Sequence, residues 1–509
     1  MPIFLEVCFY LLPGITVMTC PASSWVAPIL VAGCLVGGFT MSHFATKNQG
    51  PDVAEARFEA FARSLIGGRR GFVSDFRGGM VLLTCLAILA VDFPCFDRKH
   101  AKTETFGVSL MDTGVGLYVF SSGMTSAAAR APLSLQDRNY DDVNDDGQKY
   151  SRIPKVPPCA WQAAIIGVLR MVVLKVANYQ EHASEYGVHW NFFLTLAMFW
   201  ILAGAVRWVQ AFLMSLSARH SIFCFQKLTS ARTAVRKRDR SSGVMWFVTF
   251  MCTLLGYQAA LRAHGGALTS WVIASPRFVD SDSSALAFVR ANREGLLQLA
   301  PLTVLYLAAQ EVGLRFVWLP QASRLKTRQV RGWASSSCAA LAAAACSAWV
   351  LCGLAWYGLQ EPSRRLANAS YVLLAVAIGT TLLALVLAVH IAAAAMPRPT
   401  TLTALGDHQL AAFVAANLLT GAVNLSPLNT IRASATTARA VLTVYLLLVA
   451  GAARLAALRW PTTKSQLAKE PIETRDERGQ RRGAPRKTDN SVGEQTREGK
   501  AMKLRYRGF

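Results

Sequence analysis

Charged side chains are scarce in this sequence: Asp, Glu, Lys and Arg make up 16% of its 509 residues, against about 25% in a typical soluble domain. Because 53% of the residues are hydrophobic, the chain is too apolar to be disordered over most of its length. Its 53 Lys and Arg outnumber its 30 Asp and Glu, but long uncharged runs separate the basic residues, which argues against a soluble nucleic-acid-binding protein. The composition predicts an all-α, polytopic integral membrane protein with its positive charge in the loops.

The sequence also lacks paired cysteines and a cleavable leader. None of its eleven cysteines forms a CxxC pair and most lie in apolar segments, so we predict buried free thiols rather than a zinc site or a disulfide framework. We expect no bound metal and no tightly bound cofactor. The first residues contain no basic segment followed by a cleavage signal, so the apolar N-terminus is predicted to remain as a span.

Apolar runs of about 20 residues indicate membrane-spanning helices. The predicted spans are 3–20, 25–43, 79–93, 107–124, 159–177, 189–214, 243–261, 295–318, 334–357, 370–396, 409–425 and 440–458. Together they form a single transmembrane domain over residues 1–460. The remaining residues, 461–509, contain 13 Lys and Arg and almost no apolar side chains, which predicts a basic, disordered tail.

Lys and Arg are distributed unevenly over alternate loops. The loops at 44–78, 125–158, 215–242, 319–333 and 397–408 contain 23 of them. The loops at 94–106, 178–188, 262–294, 358–369 and 426–439 contain 11. By the positive-inside rule, the first group and the C-terminal tail are predicted to be cytoplasmic, and the second group lumenal or exterior.

Five polar clusters lie on the predicted lumenal side, at span ends or in the loops that border them. In the first, Asp92 ends an apolar run and Pro94 stops the helix just beyond it. We therefore expect Asp92 and Lys102 to face each other across a short turn, either as an ion pair that holds the hairpin or as a proton-sharing pair. Asp112 follows inside a predicted span, beside two glycines.

The other four clusters combine bases, acids and amides. The second runs from Arg170 and Lys175 to Tyr179, Gln180, His182, Glu185 and His189; the third is Asn292, Arg293 and Glu294; the fourth is Arg364 and Arg365; the fifth is Asn417, Thr420 and Asn424. His182 and Glu185 are three positions apart, so a helix would place them on one face. Ionisable groups at membrane spans are costly and suggest function, while helix capping and interfacial anchoring are the alternative roles.

Five stretches resemble the GPI-anchor inositol acyltransferases, the family called PIG-W in animals. They are ILAVDFPCFDRKHAKTETFGVSLMDTGVG, YQEHASEYGVHWNFFLTL, NREG, RRLAN and NLLTGAVNLS, and they follow the family's order within about residues 72–430. Asp97 stands where the family usually has proline, and His100 where an aromatic residue is common. The family is described with thirteen spans, so the resemblance implies 12–13 transmembrane helices.

The resemblance implies transfer of a fatty acyl group, usually palmitoyl, from acyl-CoA to the inositol ring of glucosaminyl-phosphatidylinositol in the endoplasmic reticulum membrane. An acyl thioester is already activated, so the reaction needs a group that removes the hydroxyl proton and one that stabilises the oxyanion. The family's aspartate and lysine correspond to Asp92 and Lys102, with His182 and Glu185 as a second acid–base pair. Predicted substrate-binding residues are Asp112, Arg170, Lys175, Tyr179, Gln180, His189, Asn292, Arg293, Glu294, Arg364, Arg365, Asn417, Thr420 and Asn424.

The expected partners are these two substrates and the lipid bilayer, with no nucleic acid. A proton-coupled secondary transporter is the alternative from another class, because intramembrane acids and histidines also serve proton coupling. Transporters often contain internal repeats, but residues 79–261 and 295–458 share no motif. No histidine is followed by aspartate five positions later, so the HxxxxD signature of glycerolipid acyltransferases is absent. A non-catalytic lipid-binding subunit is the third interpretation.

Overall fold

The computed structural model of the chain describes Ile15, Thr19 and residues 70–130, 158–176, 185–224, 231–279, 283–318, 327–392, 400–428 and 430–460. All regular secondary structure in these ranges is helical, which confirms the prediction of an all-α polytopic membrane protein. Apart from two positions, the predicted spans at 3–20 and 25–43 lie outside the described residues, as does the tail at 461–509.

The helices are numbered here in chain order. They are α1 (Gly71–Ala90), α2 (Thr113–Met124), α3 (Ala127–Arg130), α4 (Pro158–Val176), α5 (Phe192–Cys224), α6 (Ala231–Ile273), α7 (Ser284–Ala291), α8 (Arg293–Val312), α9 (Thr327–Gly358), α10 (Ala369–Ala392), α11 (Thr400–Asp407), α12 (Gln409–Leu425) and α13 (Ala435–Arg459). A π turn at Gly313–Val317 extends α8.

Seven of the described helices are long and apolar enough to cross a membrane: α1, α4, α5, α8 with its π turn, α9, α10 and α13. Each coincides with a predicted span. Helix α1 begins at Gly71, earlier than predicted, because Asp75 and Arg77 find polar partners inside the helix bundle. The predicted spans 107–124 and 409–425 correspond to the shorter helices α2 and α12.

The predicted span at 243–261 lies within α6, which contains a break. The backbone at His264, Gly265 and Gly266 has φ angles of 52°, 66° and 82°, in the left-handed region. Glycine adopts this region without strain, but histidine does so rarely. The break ends the first segment of α6 and allows its last turns to return toward the polar loops.

Glycines let α11 cross α1 with the two backbones in contact. A Cβ atom at Gly78 of α1 would lie 2.0 Å from the carbonyl oxygen of Leu402 in α11. A Cβ atom at Gly406 of α11 would lie 1.9 Å from the carbonyl oxygen of Ser74 in α1. Each helix therefore requires the absence of a side chain on the other, and this reciprocal contact determines where α11 sits.

Hydrogen bonds at two levels hold α1 against α12. Arg77 donates through Nε and Nη2 to Oε1 of Gln409, at 3.2 and 2.7 Å, and Asn424 Nδ2 donates to Oδ2 of Asp92 at 3.0 Å. Both pairs join residues 332 positions apart in the sequence, so the two helices run in the same direction in a fixed register. At 1.5 Å per residue, the two contacts are about 22 Å apart.

Helix α8 is the centre of a second group of packed helices, with α2, α5 and α10 around it. Its described side chains are buried along most of its length, including Pro301. A Cβ atom at Gly123 of α2 would lie 2.2 Å from the carbonyl oxygen of Tyr306 in α8. This close packing places the beginning of α8 beside the loop that precedes α2.

The seven cysteines with described side chains are all free thiols, as predicted. Cys85 and Cys352 are buried, but Cys159, Cys252 and Cys346 are exposed on their helices. The prediction that the cysteines are buried therefore holds for only some of them. A thiol on an exposed helix face of a membrane protein still meets an apolar environment where that face contacts lipid.

We expect Gly78→Ala to lower the thermal unfolding midpoint of the purified protein in detergent, by an amount equivalent to about 1–3 kcal/mol, because a methyl group there meets a backbone carbonyl that cannot move aside alone. Gly79→Ala is the matched control, since nothing lies within 4 Å of a Cβ atom at Gly79. It should leave the midpoint unchanged or raise it slightly. Equal effects of the two substitutions would contradict the described crossing.

Candidate active site

The hairpin between α1 and α2 carries the first candidate residues. Phe93 and Phe96 are buried and anchor it in the helix bundle, while Asp92 just before them is partly exposed. Arg98 Nη1 donates to the carbonyl oxygen of Val91 at 3.0 Å, so the chain folds back on the end of α1. Asp92 is thereby presented at the end of the helix, as the position of Pro94 predicts.

Asp92 and Lys102 each have a partner from a distant part of the chain. Asp92 accepts the hydrogen bond from Asn424 of α12, and Lys102 Nζ forms an ion pair with Oε1 of Glu185. The two residues were predicted to face each other, but the ion pairs within the described residues do not include one between them. The hairpin is instead tied to α12 on one side and to the loop at 185–191 on the other.

The loop at 185–191 is held against α7 and α8 by backbone hydrogen bonds. The backbone nitrogen of His189 donates to Oδ1 of Asn292 at 2.7 Å, and that of Gly295 donates to the carbonyl oxygen of Tyr186 at 2.9 Å. Gly187 has a φ of 127°, and a Cβ atom there would lie 2.6 Å from Cα of Asn292. Only glycine fits this position, and the fit places Glu185 beside Lys102.

Asp112 is a buried acceptor shared by its own loop and by the loop before α10. Its carboxylate accepts hydrogen bonds from the backbone nitrogens of Thr103 and Ser109, from Oγ1 of Thr103 and, at 2.8 Å, from Nε of Arg364. Burial on its own lowers the pKa of Arg364, but the neighbouring Glu185 and Asp112 outweigh it and the pKa lies above the ordinary arginine value. This pair joins the first and fourth clusters.

Glu294 is fully buried and joins the third and fourth clusters. Arg277 binds it with both guanidinium ends, Nη1 to Oε2 at 3.0 Å and Nη2 to Oε1 at 2.6 Å, and Nη2 of Arg365 donates to Oε1 at 2.8 Å. A carboxylate with several charge-assisted hydrogen bonds is a strong cross-link. It connects α8, the segment after α6 and the loop before α10.

Arg293 has the contacts of a helix cap. Its guanidinium is buried and donates to the carbonyl oxygens of Val272, Ser275 and Pro276, at the end of α6. Positive side chains at helix C-termini satisfy the last carbonyls and the helix dipole. Capping was the alternative to phosphate binding for this residue, and the phosphate-binding role stays a prediction.

The fifth cluster lies on α12, with its three residues in different surroundings. Asn417 Nδ2 donates to the carbonyl oxygen of Phe413 in its own helix at 2.7 Å, and Thr420 Oγ1 donates to the hydroxyl of Tyr445 at 3.4 Å. Asn424 contacts Asp92, but its Oδ1 is buried and has no hydrogen-bond partner among the described residues. Asn424 therefore offers a buried acceptor beside the carboxylate of Asp92.

The remaining candidates come from the second cluster. Arg170 and Lys175 lie on the exposed face of α4. Tyr179, Gln180 and His182 lie outside the described residues, so the pairing of His182 with Glu185 stays a prediction. Glu185 itself lies in a turn rather than a helix.

The sequence interpretation missed two polar residues that hold the site together. Gln298 of α8 donates to the carbonyl oxygens of Arg365, at 2.9 Å, and Glu185, at 3.4 Å. The second missed residue is Arg277, which binds Glu294 and lies in a predicted lumenal loop. Gln298 is an amide within a predicted apolar span, and such residues are costly in a membrane unless they have partners. The cost of placing an amide in a membrane span was the signal that could have identified Gln298.

The five clusters contact one another at one end of a bundle of apolar helices. This arrangement defines the class of protein: a multi-pass membrane protein with an internal polar site. Sequence comparison then gives the family: the GWT1 family profile matches residues 1–456, and the chain belongs to this family. GPI-anchored wall transfer protein 1 of Aspergillus fumigatus is 31% identical over 405 residues, covering 75% of this chain and 71% of that protein. The Kluyveromyces lactis protein of the same name is 30% identical over 389 residues, covering 75% and 72%. The resemblance stated from the five motifs is confirmed.

We expect Glu294→Gln to destabilise the protein by about 3–5 kcal/mol, because Arg277 and Arg365, whose side chains are only 18% and 10% exposed, would lose their shared counter-charge. Glu185→Gln breaks a more accessible pair, in which the side chains of Lys102 and Glu185 are 40% and 23% exposed, and should cost less than about 1 kcal/mol. The thermal unfolding midpoints of the two purified variants in detergent measure the difference. Similar midpoints would show that Glu294 is not the structural cross-link described above.

Proposed function

We propose that the protein is an acyl-CoA-dependent acyltransferase that attaches a palmitoyl group to the inositol ring of glucosaminyl-phosphatidylinositol during GPI-anchor biosynthesis. Its membership of the GWT1 family, with relatives named GPI-anchored wall transfer protein 1, supports this assignment. A role in GPI-anchor biosynthesis supports a location in the endoplasmic reticulum membrane, and the clusters on the predicted lumenal side agree with an acceptor headgroup on that side.

The Asp92–Asn424 pair is the observation that carries the proposal. It combines a partly exposed carboxylate, able to accept a proton, with a buried amide oxygen that has no partner in the described part of the chain. An inositol ring has adjacent hydroxyl groups. One hydroxyl can donate to Oδ1 of Asn424 while its neighbour donates to Asp92, which would orient the reacting oxygen.

In this mechanism Asp92 accepts the proton from the inositol hydroxyl as its oxygen attacks the thioester carbonyl. Lys102, close to the surface and ion-paired with Glu185, supplies positive charge for the oxyanion that forms on the acyl carbon. The carbon–sulfur bond then breaks, the thiolate of CoA leaves and takes up the proton that Asp92 accepted, and the ester remains on inositol. No covalent acyl-enzyme is required, since the thioester is already activated.

The substrate phosphates need positive charge at the surface of the site. Arg170 and Lys175 on the exposed face of α4 are candidates for this role. Asp112, Glu294 and the buried arginines are engaged within the protein, and in this proposal they hold the loops that surround the substrate. Glu185 acts through Lys102, while the role of His182 stays a prediction.

We expect Asp92→Asn and Lys102→Ala each to abolish complementation in cells that lack inositol acylation, and to lower palmitoyl transfer in microsomes by at least about 100-fold, the range expected for a positioned proton acceptor. Asp97→Asn and Lys99→Ala are matched controls in the same hairpin, because Asp97 and Lys99 form a local ion pair near the surface. Both controls should complement. Full transfer activity in Asp92→Asn and Lys102→Ala would refute the mechanism.

We expect Asn424→Ala to reduce transfer at least tenfold more than Asn417→Ala. The first substitution removes the hydrogen bond to Asp92 and the acceptor for substrate, whereas Asn417 donates within its own helix. The two residues are two turns apart on α12, and both side chains are partly buried. Assays of kcat and KM for palmitoyl-CoA and for the lipid acceptor should place the Asn424 defect in kcat. Equal defects would argue against this role.

A further inference from the structure

A second group of unusual side chains lies at the opposite end of the helix bundle. Arg70 precedes α1 and is 4% exposed, Trp318 follows α8 and its π turn, and Trp333 lies in the first turns of α9. The candidate active site is at the other end of each of these helices, near Asp92, Glu294 and the loop before α10. Since α1 has 20 residues, the two groups are about 30 Å apart.

The guanidinium of Arg70 contacts two indole rings. Its central carbon lies 4.7 Å from the ring centroid of Trp333 and 5.3 Å from that of Trp318. The guanidinium of Arg130, after α2, lies 4.9 Å from the centroid of the same Trp318. The indole nitrogen of Trp318 donates to the carbonyl oxygen of Met124 at 2.8 Å, so this ring is fixed between the ends of α2 and α8.

Three hydrogen-bond donors in this group have no acceptor among the described residues. Nε and Nη1 of Arg70 and Nε1 of Trp333 are buried, and no hydrogen-bond partner meets them within the part of the chain that the structure describes. Seven buried side-chain nitrogen or oxygen atoms in that part lack a partner, so these three are close to half of the total. All three are donors, and a single anion can satisfy donors of this kind.

Arg293 shows how this protein satisfies a buried arginine without a ligand. Its guanidinium also lies over an indole ring, 5.5 Å from the centroid of Trp271. Unlike Arg70, it donates to three backbone carbonyls. The ring contact therefore does not replace hydrogen bonds for a buried guanidinium, because the ring face attracts the charge while the N–H groups at the guanidinium edge still need acceptors.

We propose that Arg70 and Trp333 form a binding site for a phosphate group carried by a lipid. Arg70 and Arg130 supply the positive charge, and the donors are Nε and Nη1 of Arg70 and the indole N–H of Trp333. Arginine binds phosphate through two parallel N–H groups, which matches the two unpaired nitrogens. Burial lowers the pKa of Arg70 from its ordinary value to about 10, so the side chain stays cationic at neutral pH. The phosphate belongs either to an anionic lipid headgroup, in which case the site is independent of the proposed acyl transfer, or to an acyl-CoA, in which case it rests on the proposed function.

The test uses the full-length protein in a neutral detergent and phosphate-free buffer, with thermal unfolding followed as phosphatidic acid, palmitoyl-CoA or phosphatidylcholine is added. Phosphatidic acid, palmitoyl-CoA or both should raise the midpoint of the wild-type protein, and phosphatidylcholine should not. A phosphatidic acid response that Arg70→Met loses identifies a headgroup site, and a palmitoyl-CoA response that Arg70→Met loses identifies a site for the acyl donor. Either loss supports the proposal, whereas a palmitoyl-CoA response that Arg70→Met keeps arises at the proposed catalytic site and counts against it.

Arg70→Met should abolish the response or weaken the apparent affinity at least tenfold, while leaving the ligand-free midpoint equal to or above that of the wild type, because it removes a buried charge that lacks a partner. Arg459→Met is the matched control. Arg459 is exposed at the end of α13, so its loss removes the same charge without touching Arg70, and this variant should respond like the wild type.

Trp333→Phe removes one donor and keeps the ring, so it should fold and bind several-fold more weakly, which covers the case in which Arg70→Met does not fold. The proposal is overturned if the wild type responds to none of the additions or equally to phosphatidylcholine. It is also overturned if Arg70→Met keeps the wild-type affinity for the added lipid. If Arg70→Met does not fold, the same result in Trp333→Phe overturns it. Failure of complementation in the acyltransferase experiment would leave this site untouched, so the two proposals fail separately.

Discussion

The reciprocal glycine contact between α1 and α11 is the constraint on which the candidate active site depends. It places α11, and with it the start of α12, against the first half of α1, where Arg77 binds Gln409. From there α12 runs beside α1 to Asn424 and Asp92. The hydrogen bond between these last two residues is thus determined by backbone packing far from it, and a small error in the crossing would move donor and acceptor out of reach.

The buried charges give the site a different kind of support. Glu294 and Asp112 draw together loops that are far apart in the sequence, and each accepts hydrogen bonds from arginines of the loop before α10. Burying a carboxylate and a guanidinium is favourable only when the geometry satisfies both. These pairs consequently define one arrangement of the loops, within which Lys102 and Asp92 remain accessible.

Much of the fold was predictable because a membrane limits the chain to apolar helices, and their lengths and the polar residues at their ends are visible in sequence. The gathering of the five clusters follows from the same limit. The partners of Lys102 and Asp92 were not predictable, since they depend on how the loop at 185–191 docks, which Gly187 and Asn292 decide in three dimensions. The predicted span at 79–93 likewise begins later than helix α1, because Asp75 and Arg77 have buried partners from segments more than 300 positions later.

The Arg77–Gln409 and Asp92–Asn424 contacts are separated by the same number of residues on both segments of the chain, and this has an evolutionary consequence. Each added or deleted residue in a helix turns everything beyond it by about 100° and moves it by 1.5 Å. An insertion in either helix alone would swing Asp92 away from Asn424 while leaving the other end in place. Homologous chains are therefore free to exchange many side chains along these helices, but we expect them to keep the number of residues between the two contacts, and to confine length variation to the connecting loops.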